Sequence, residues 1–131
     1  MQDFDSTLES VLARDPRYQR DAYHFVREAL DHTQGMYEKN GHVEPRELLE
    51  GIRDFALKEY GPMAQLVLDE WGVRRCEDFG EIVFNLIDAK VLKKTDGDRR
   101  EDFSGGYDFT DAFRKPFRPD PADRGGTMAS G

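Results

Sequence analysis

The chain has 131 residues and a net charge of −8, with 37% hydrophobic and 35% charged residues. Its 9 Phe, 5 Tyr and 1 Trp are too many aromatic residues for a wholly disordered chain, so we expect one compact domain with a charged surface. Residues 1–40, 41–92 and 93–131 contain 5, 6 and 8 basic residues against 8, 11 and 8 acidic ones, which disfavours non-specific nucleic-acid binding by the whole domain.

Two helices are predicted before residue 41. The first covers residues 3–13, where Leu8, Val11 and Leu12 form an apolar stripe, and Asp15-Pro16 ends it. The second covers residues 18–39 and ends at Asn40-Gly41, a pair suited to a left-handed terminus. The residues that share one face of this second helix are Tyr18, Ala22, Phe25, Val26, Ala29, Leu30, Thr33, Met36 and Tyr37.

Three further helices are predicted between residues 44 and 90. The third begins at Glu44-Pro45, with Pro in the first turn, and ends at Gly61. The fourth is short, opens at Pro62 and closes at Gly72, and the fifth begins after Cys76. The side chains that we expect to point inward from the fourth and fifth helices are Met63, Val67, Leu68, Trp71, Phe79, Ile82, Val83, Leu86 and Ile87.

Beyond the fifth helix the pattern changes to that of a β-hairpin. Residues 91–95 and 99–103 flank Asp96-Gly97, a dipeptide typical of tight hairpin turns. The predicted fold class is therefore mainly α, a five-helix domain with a small C-terminal β-hairpin. The order of elements over residues 44–103 suggests a winged-helix-like part, preceded by an N-terminal helical pair over residues 3–40.

The chain is interpreted as a single helical domain over residues 1–117 and a mobile tail over residues 118–131. The end of the domain, residues 103–117, is an aromatic arm. We favour the interpretation that the arm folds back onto the helical core, and the alternative is a peptide-like arm that docks on a partner or a second copy. The candidate partner-binding residues of this arm are Phe103, Tyr107, Phe109, Phe113 and Phe117.

The residues predict no catalytic, cofactor-binding or metal-binding site. A carboxylate and histidine row on the second helix could bind a metal, but we predict no second helix with a histidine to complete the site. Cys76 follows Arg74-Arg75 near a helix start, which lowers a thiol pKa, yet no histidine is near it in sequence, so we expect it to cap or pack. The carboxylate and histidine row of the second helix consists of Asp21, His24, Glu28 and His32.

We therefore expect a non-enzymatic protein-interaction or adaptor module whose partner the sequence does not identify. The alternative is a winged-helix-like regulator that contacts nucleic acid through the hairpin, although acidic residues of helix 77–90 would repel phosphates. An acidic N-terminus without a secretory pattern, and the lack of an apolar run near the ~20 residues that span a bilayer, predict a cytoplasmic protein that avoids membranes. The basic residues that would contact nucleic acid in the winged-helix-like alternative are Lys93, Lys94, Arg99 and Arg100.

Several stretches together carry a family likeness. They are ARDPRY at 13–18, FVREALD at 25–31, ELLEGIR at 47–53, YGPMA at 60–64, WGVRR at 71–75, EDFGEIVFNL at 77–86, REDF at 100–103 and YDF at 107–109. In these the chain resembles the Minf-type family of conserved hypothetical bacterial proteins over about residues 3–117. The resemblance implies a natural bacterial domain and brings no activity, ligand or catalytic residue. Cys76 stands where the family pattern leads us to expect a hydroxyl residue, which argues against an essential thiol there.

Overall fold

The computed structural model describes residues 3–39, 41–93 and 99–117, and these form a mainly helical domain, as predicted. The five α-helices are α1 (Phe4–Arg14), α2 (Arg20–Met36), α3 (Pro45–Tyr60), α4 (Ala64–Glu70) and α5 (Cys76–Asp88). Short 3₁₀ turns cover Gly61–Met63, Arg100–Phe103 and Lys115–Phe117, and a π-helical turn covers Thr110–Arg114.

Side-chain caps and a glycine fix several helix ends near the predicted positions. The Asp3 carboxylate accepts a hydrogen bond from the Ser6 N–H at 2.8 Å and so caps α1. At the start of α3 the Glu47 carboxylate accepts from the Glu44 N–H at 2.8 Å. Gly61 has a φ of 53° and ends α3, a backbone conformation that glycine adopts without a Cβ penalty.

Helix α2 ends earlier than the predicted residue 39. Glu38 has a φ of 53°, so the chain enters the left-handed region there, and the Lys39 N–H donates to the Gln34 carbonyl at 2.9 Å. The predicted terminus at Asn40-Gly41 was therefore wrong for the helix end, and Asn40 itself lies outside the described residues. Met36 and Tyr37, predicted on the buried face, are the last residue of α2 and its C-cap, and both are exposed.

Helices α2 and α3 form an antiparallel pair at the centre of the domain. Lys39 contacts Glu47 near one end of the pair, and the rings of Phe25 and Tyr60 are 6.1 Å apart near the other. Between them a Cβ at Gly51 would overlap the Thr33 side chain, so the glycine permits a close approach of the two backbones. Thr33 is fully buried, and its hydroxyl donates to the Ala29 carbonyl at 2.7 Å.

Helix α5 packs against α2 and is also covered by the chain that follows it. The buried residues of α5 are Cys76, Phe79, Gly80, Ile82, Val83 and Leu86. Phe103 lies against Gly80, where a Cβ would be 3.0 Å from three atoms of the Phe103 side chain. The aromatic segment 103–113 thus packs onto the N-terminal half of α5.

The predicted β-hairpin was wrong in the part of the chain that is described. Residues 91–93 form no strand, and the expected return strand at 99–103 is instead a 3₁₀ turn, Arg100–Phe103. The Asp102 carboxylate accepts from the Arg99 N–H at 3.2 Å, and the Ser104 N–H donates to the Glu101 carbonyl at 3.0 Å, so local bonds replace a ladder. The predicted turn at Asp96-Gly97 lies outside the described residues, and those around it supply no strand for a wing.

The fourth helix differs in one detail from the prediction. Leu68 is buried as expected, but Met63 is 52% exposed, because Gly61–Met63 is a 3₁₀ turn whose period differs from that of an α-helix. Leu66, on the outer face of α4, is 55% exposed. Helix α4 therefore presents an apolar edge to solvent.

Candidate functional site

The first candidate site is a cleft of about 330 Å³ between α2, α3 and α5, which we call the interhelical cleft. Helices α2 and α3 form one wall of the cleft, and α5 with the residues after it forms the other. The lining residues are Leu30, Gln34, Gly41, His42, Val43, Pro45, Leu48, Val83, Phe84, Ile87, Leu92, Lys93 and Phe103.

The end of α5 shapes one edge of this cleft. Lys90 has a φ of 63°, and the Val91 N–H donates to the Leu86 carbonyl at 2.9 Å, which is the bond of a left-handed helix terminus. The chain therefore turns back at once, and Leu92 packs beside Ile87 at the cleft. On the opposite edge the Gln34 amide donates to the Gly41 carbonyl at 2.7 Å and holds the loop that leads into α3.

Four of the five predicted aromatic arm residues pack against the domain itself. Phe103, Phe109 and Phe113 are at most 3% exposed, and the rings of Phe109 and Phe113 meet edge to face with centroids 5.0 Å apart. The Tyr107 hydroxyl donates to the Leu49 carbonyl at 2.8 Å. Phe117 alone of the five is exposed. The buried rings offer no surface to a partner, and a docking role for the arm as a whole stays a prediction.

The three predicted basic residues that the structure describes do not form one free patch. Lys93 lies at the rim of the interhelical cleft, Arg99 is exposed, and Lys94 is outside the described residues. The Arg100 guanidinium lies 3.8 Å from the Glu81 carboxylate, 3.9 Å from that of Asp88 and 5.3 Å from the Phe84 ring centroid. Nearby carboxylates thus offset its charge, and the nucleic-acid alternative stays a prediction.

Cys76 is buried as a neutral thiol. It is 1% exposed, and its Sγ donates to the Tyr107 carbonyl at 3.4 Å. Burial raises the pKa of the Cys76 thiol to about 11, so the thiolate that nucleophilic chemistry needs is scarce at neutral pH. The predicted packing role agrees with this position, although the residue begins α5 rather than capping it.

The histidines of α2 pair with carboxylates from two different helices. The His24 Nε2 is 2.9 Å from the Asp5 carboxylate of α1, and the His32 Nε2 is 2.7 Å from the Asp54 carboxylate of α3. The hydrogen bond from His32 lowers the pKa of Asp54, and Lys58 adds to the effect at 3.2 Å. Within residues 3–39, 41–93 and 99–117, no group of three or more His, Cys, Asp or Glu side chains is placed to hold a metal ion.

A polar network that joins the loop before α2 to α5 was missed from the sequence. Arg17 donates to both oxygens of Asp15 at 2.8 and 2.7 Å and reaches Glu81 at 3.2 Å, and these hydrogen bonds hold the pKa of Asp15 well below its usual range. The Asn85 amide donates to Asp15 at 2.9 Å and to the Tyr23 hydroxyl at 3.0 Å. Its contacts with α5 join residues 62 to 70 apart in the chain, and no short-range pattern links those partners.

A second polar contact ties the same loop to the start of α5. The Tyr18 hydroxyl donates to the Asp78 carboxylate at 2.7 Å, and the other oxygen of that carboxylate accepts from the Arg74 N–H at 2.9 Å. Asp78 lies in the first turn of α5, where its charge complements the helix dipole. It also fixes the approach of the chain to α5.

Comparison with known protein families, with curated proteins and with solved structures finds no match to this chain. The resemblance to the Minf-type family therefore stays a prediction. None of the helices in the described part of the chain is both long and apolar enough to cross a membrane.

Proposed function

We propose that this domain is a non-enzymatic protein-interaction module of the cytoplasm, and that it receives an apolar helical segment of a partner in the interhelical cleft. The observation that carries the proposal is the lining of that cleft. Nine of its thirteen lining residues are apolar, in a chain of which 35% is charged, so the cleft is the place where burial of a partner would gain most.

The arrangement of polar groups favours a protein segment over a small ligand. Small-molecule sites place a few polar groups inside an apolar pocket to orient the ligand. The polar side chains of the interhelical cleft are Gln34, His42 and Lys93, and Gln34 already donates to the Gly41 carbonyl. An apolar groove with helical walls suits an amphipathic helix, whose anchor side chains recur at three- and four-residue steps.

Two features favour binding over catalysis. The one thiol of the chain is buried and its pKa is raised, so it is a poor nucleophile. His24 and His32 contact carboxylates from different helices, and neither residue is among those that line the interhelical cleft. The residues that line the cleft include no Ser, Thr or Cys, and their one histidine, His42, has its Nε2 3.8 Å from the Glu44 carboxylate, so no nucleophile lies beside that base among them.

The charge of the domain favours a basic partner segment. The net charge is −8, and most exposed acids lie on the helices that surround the core. A field of this sign attracts a helix with lysines on its polar face and raises the rate of its encounter with the cleft.

The test is binding of a designed helical peptide to the full chain. The probe is a fluorescein-labelled helix with leucines on one face and lysines on the other, and its control is a scrambled peptide of the same composition. We expect saturable binding of the probe, with fluorescence polarisation as the measurement. Ile87→Glu places a charge in the cleft and should raise the Kd at least tenfold.

The matched control variant is Leu66→Glu, which makes the same kind of change at an exposed leucine outside the interhelical cleft. It should leave the Kd within about twofold of the parent value, because it touches no lining residue. Circular dichroism melts establish that both variants are folded. Equal binding of probe and scrambled peptide, or equal loss in both variants, would contradict the proposal.

A further inference from the structure

A second cleft, of about 540 Å³, lies between α4 and the π-helical turn Thr110–Arg114, and we call it the α4 cleft. It shares no lining residue with the interhelical cleft. Its lining residues are Pro62, Met63, Gln65, Leu66, Asp69, Val73, Arg74, Phe109 and Arg114.

Gln65 lines the α4 cleft and carries an acceptor with no donor. The Gln65 Oε1 is buried and makes no hydrogen bond among the described residues. Folded proteins satisfy nearly all buried polar atoms, so such an atom on the wall of a cleft points to a donor that a bound molecule supplies. The oxygen is buried in the unbound domain, and because the terminal amide of Gln turns about a soft torsion, rotation of that amide on binding would bring the oxygen to the donor.

The charge of the α4 cleft is opposite to that of the domain. Two guanidinium groups and one carboxylate line it, in a chain with a net charge of −8. Arg74 pairs with Asp69 at 2.7 Å, whereas Arg114 is exposed and has no carboxylate partner within the described residues. The nearest acid in its own turn, Asp111, pairs with Lys115 at 3.0 Å. Arg114 is thus available to a negatively charged group, and its planar fork fits a carboxylate.

The apolar part of the α4 cleft is accessible from solvent. Met63 and Leu66 are 52% and 55% exposed, the two highest values among the large exposed hydrophobic residues. Phe109 and Val73 are buried and form the inner wall. One aliphatic side chain from a partner would cover this surface.

We propose that the α4 cleft binds the apolar C-terminal residue of a partner polypeptide. The terminal carboxylate pairs with Arg114, the last peptide N–H donates to the Gln65 Oε1, and the side chain packs between Met63 and Leu66. A single C-terminal residue carries all three groups within a few bonds of one another. An internal Asp or Glu would use its side chain to pair with Arg114, so a different residue would have to cover the apolar surface. Such a peptide should therefore bind the cleft more weakly. This binding site is separate from the proposed function and goes beyond it.

The experiment compares three peptides on the full chain. The first is fluorescein-Gly-Ser-Gly-Ser-Leu with a free carboxylate, the second is the same peptide with a C-terminal amide, and the third ends in Asp-Leu-amide. We expect saturable binding of the first, with a Kd at least tenfold lower than that of either amide. Arg114→Gln should remove most of this preference for the free acid, because it removes the charged donor.

Two matched variants separate recognition from a structural role. Gln65→Leu keeps the size of the side chain roughly the same and removes the acceptor, so it should raise the Kd for the free-acid peptide several-fold. Circular dichroism should show that this variant stays folded. Arg99→Gln, an exposed arginine outside the cleft, should leave the Kd unchanged. Equal binding of acid and amide, or no saturable binding of the free acid up to one millimolar, would overturn the proposal. Equal binding of the Asp-Leu-amide would assign the charge to an acidic side chain and would also overturn it.

Discussion

The two halves of α5 differ in composition and in what covers them. The N-terminal half, with Cys76, Phe79 and Gly80, is buried under the aromatic segment 103–113. The C-terminal half carries Val83, Phe84 and Ile87, which line the interhelical cleft. Residues 76–81 include two apolar side chains and three acidic ones, whereas five of residues 82–88 are apolar, so the more apolar half is the one beside the cleft.

The difference lies in where the chain returns. Phe103 packs against Gly80, and Tyr107, Phe109 and Phe113 follow with their rings in mutual contact. Over the C-terminal half, Leu92 and Phe103 line the cleft without filling it. Apolar content alone therefore does not decide which half of the helix is covered, and the path of the next segment of chain does.

The largest effect is expected from removal of a fully buried ring of the aromatic segment. Phe113 is fully buried and contacts Phe109 and Tyr107, so Phe113→Ala should lower the free energy of unfolding by about 3–5 kcal/mol. Urea denaturation measures the change. Phe117→Ala, at an exposed ring of the same segment, should cost less than about 1 kcal/mol. Similar losses in the two variants would show that the segment does not form part of the core.

A substitution at Gly80 tests the contact between α5 and its cover. Gly80→Val places methyl groups where a Cβ is already 3.0 Å from Phe103, so we expect a loss of about 2 kcal/mol from overpacking. Gly35→Val is the control, because a Cβ at Gly35 meets nothing within 4 Å, and it should change stability by less than about 0.5 kcal/mol. Thermal and urea melts compare the two. If the stability of Gly80→Val equals that of the parent, Phe103 moves aside without a cost in free energy.

Truncation on the open half should cost less than truncation in the core. Ile87 is partly exposed at the interhelical cleft, and Ile87→Ala should lower the free energy of unfolding by about 1 kcal/mol. Ile82 lies on the same helix but is fully buried, so Ile82→Ala should lower the free energy of unfolding by about 2–5 kcal/mol. Equal costs, measured by urea denaturation, would show that the cleft is closed in solution.

The smallest effect concerns the polar network at the middle of α5, where Asn85 reaches Asp15. Hydrogen bonds from Arg17 lower the pKa of Asp15 in the folded state, so its contribution is present above the unfolded carboxyl pKa of about 3.9 and is lost as the pH falls below it. Asp15→Asn should lower stability by about 0.5–1 kcal/mol at pH 7, since the Arg17 partner is largely solvated.

The pH dependence provides the check on that network. The difference between parent and Asp15→Asn, from urea midpoints, should shrink between pH 5 and pH 2.5. Asp31→Asn, at an exposed acid of α2, should show no comparable difference at either pH. A difference that grows as the pH falls would contradict the lowered pKa of Asp15.

The helices and their main boundaries could be predicted because they depend on neighbours in sequence. The stripe of α2, the Pro45 start of α3 and the Gly61 end all follow from period and local backbone preference. The hairpin prediction was wrong because Asp96-Gly97 signals a turn without saying whether strands flank it. Residues 99–103 satisfy their backbone locally, with Asp102 as the acceptor.

The clefts could not be predicted, because their walls come from distant parts of the chain. Leu30, Leu48 and Ile87 line one cleft, and Gln65, Phe109 and Arg114 line the other, although each residue looked ordinary in its own segment. The unpartnered Gln65 oxygen could not be predicted, because the sequence around a glutamine does not indicate whether its side-chain oxygen is buried.

By itself the sequence determined a helical domain with an acidic surface, since helix period, capping residues and charge act over a few neighbouring positions. Only the tertiary structure decided that the aromatic segment covers one half of α5 and leaves the other half beside an open cleft. The physical reason is that burial depends on the path of the whole chain: a phenylalanine gains the same free energy from any apolar surface it can reach, and chain connectivity and packing select which surface that is.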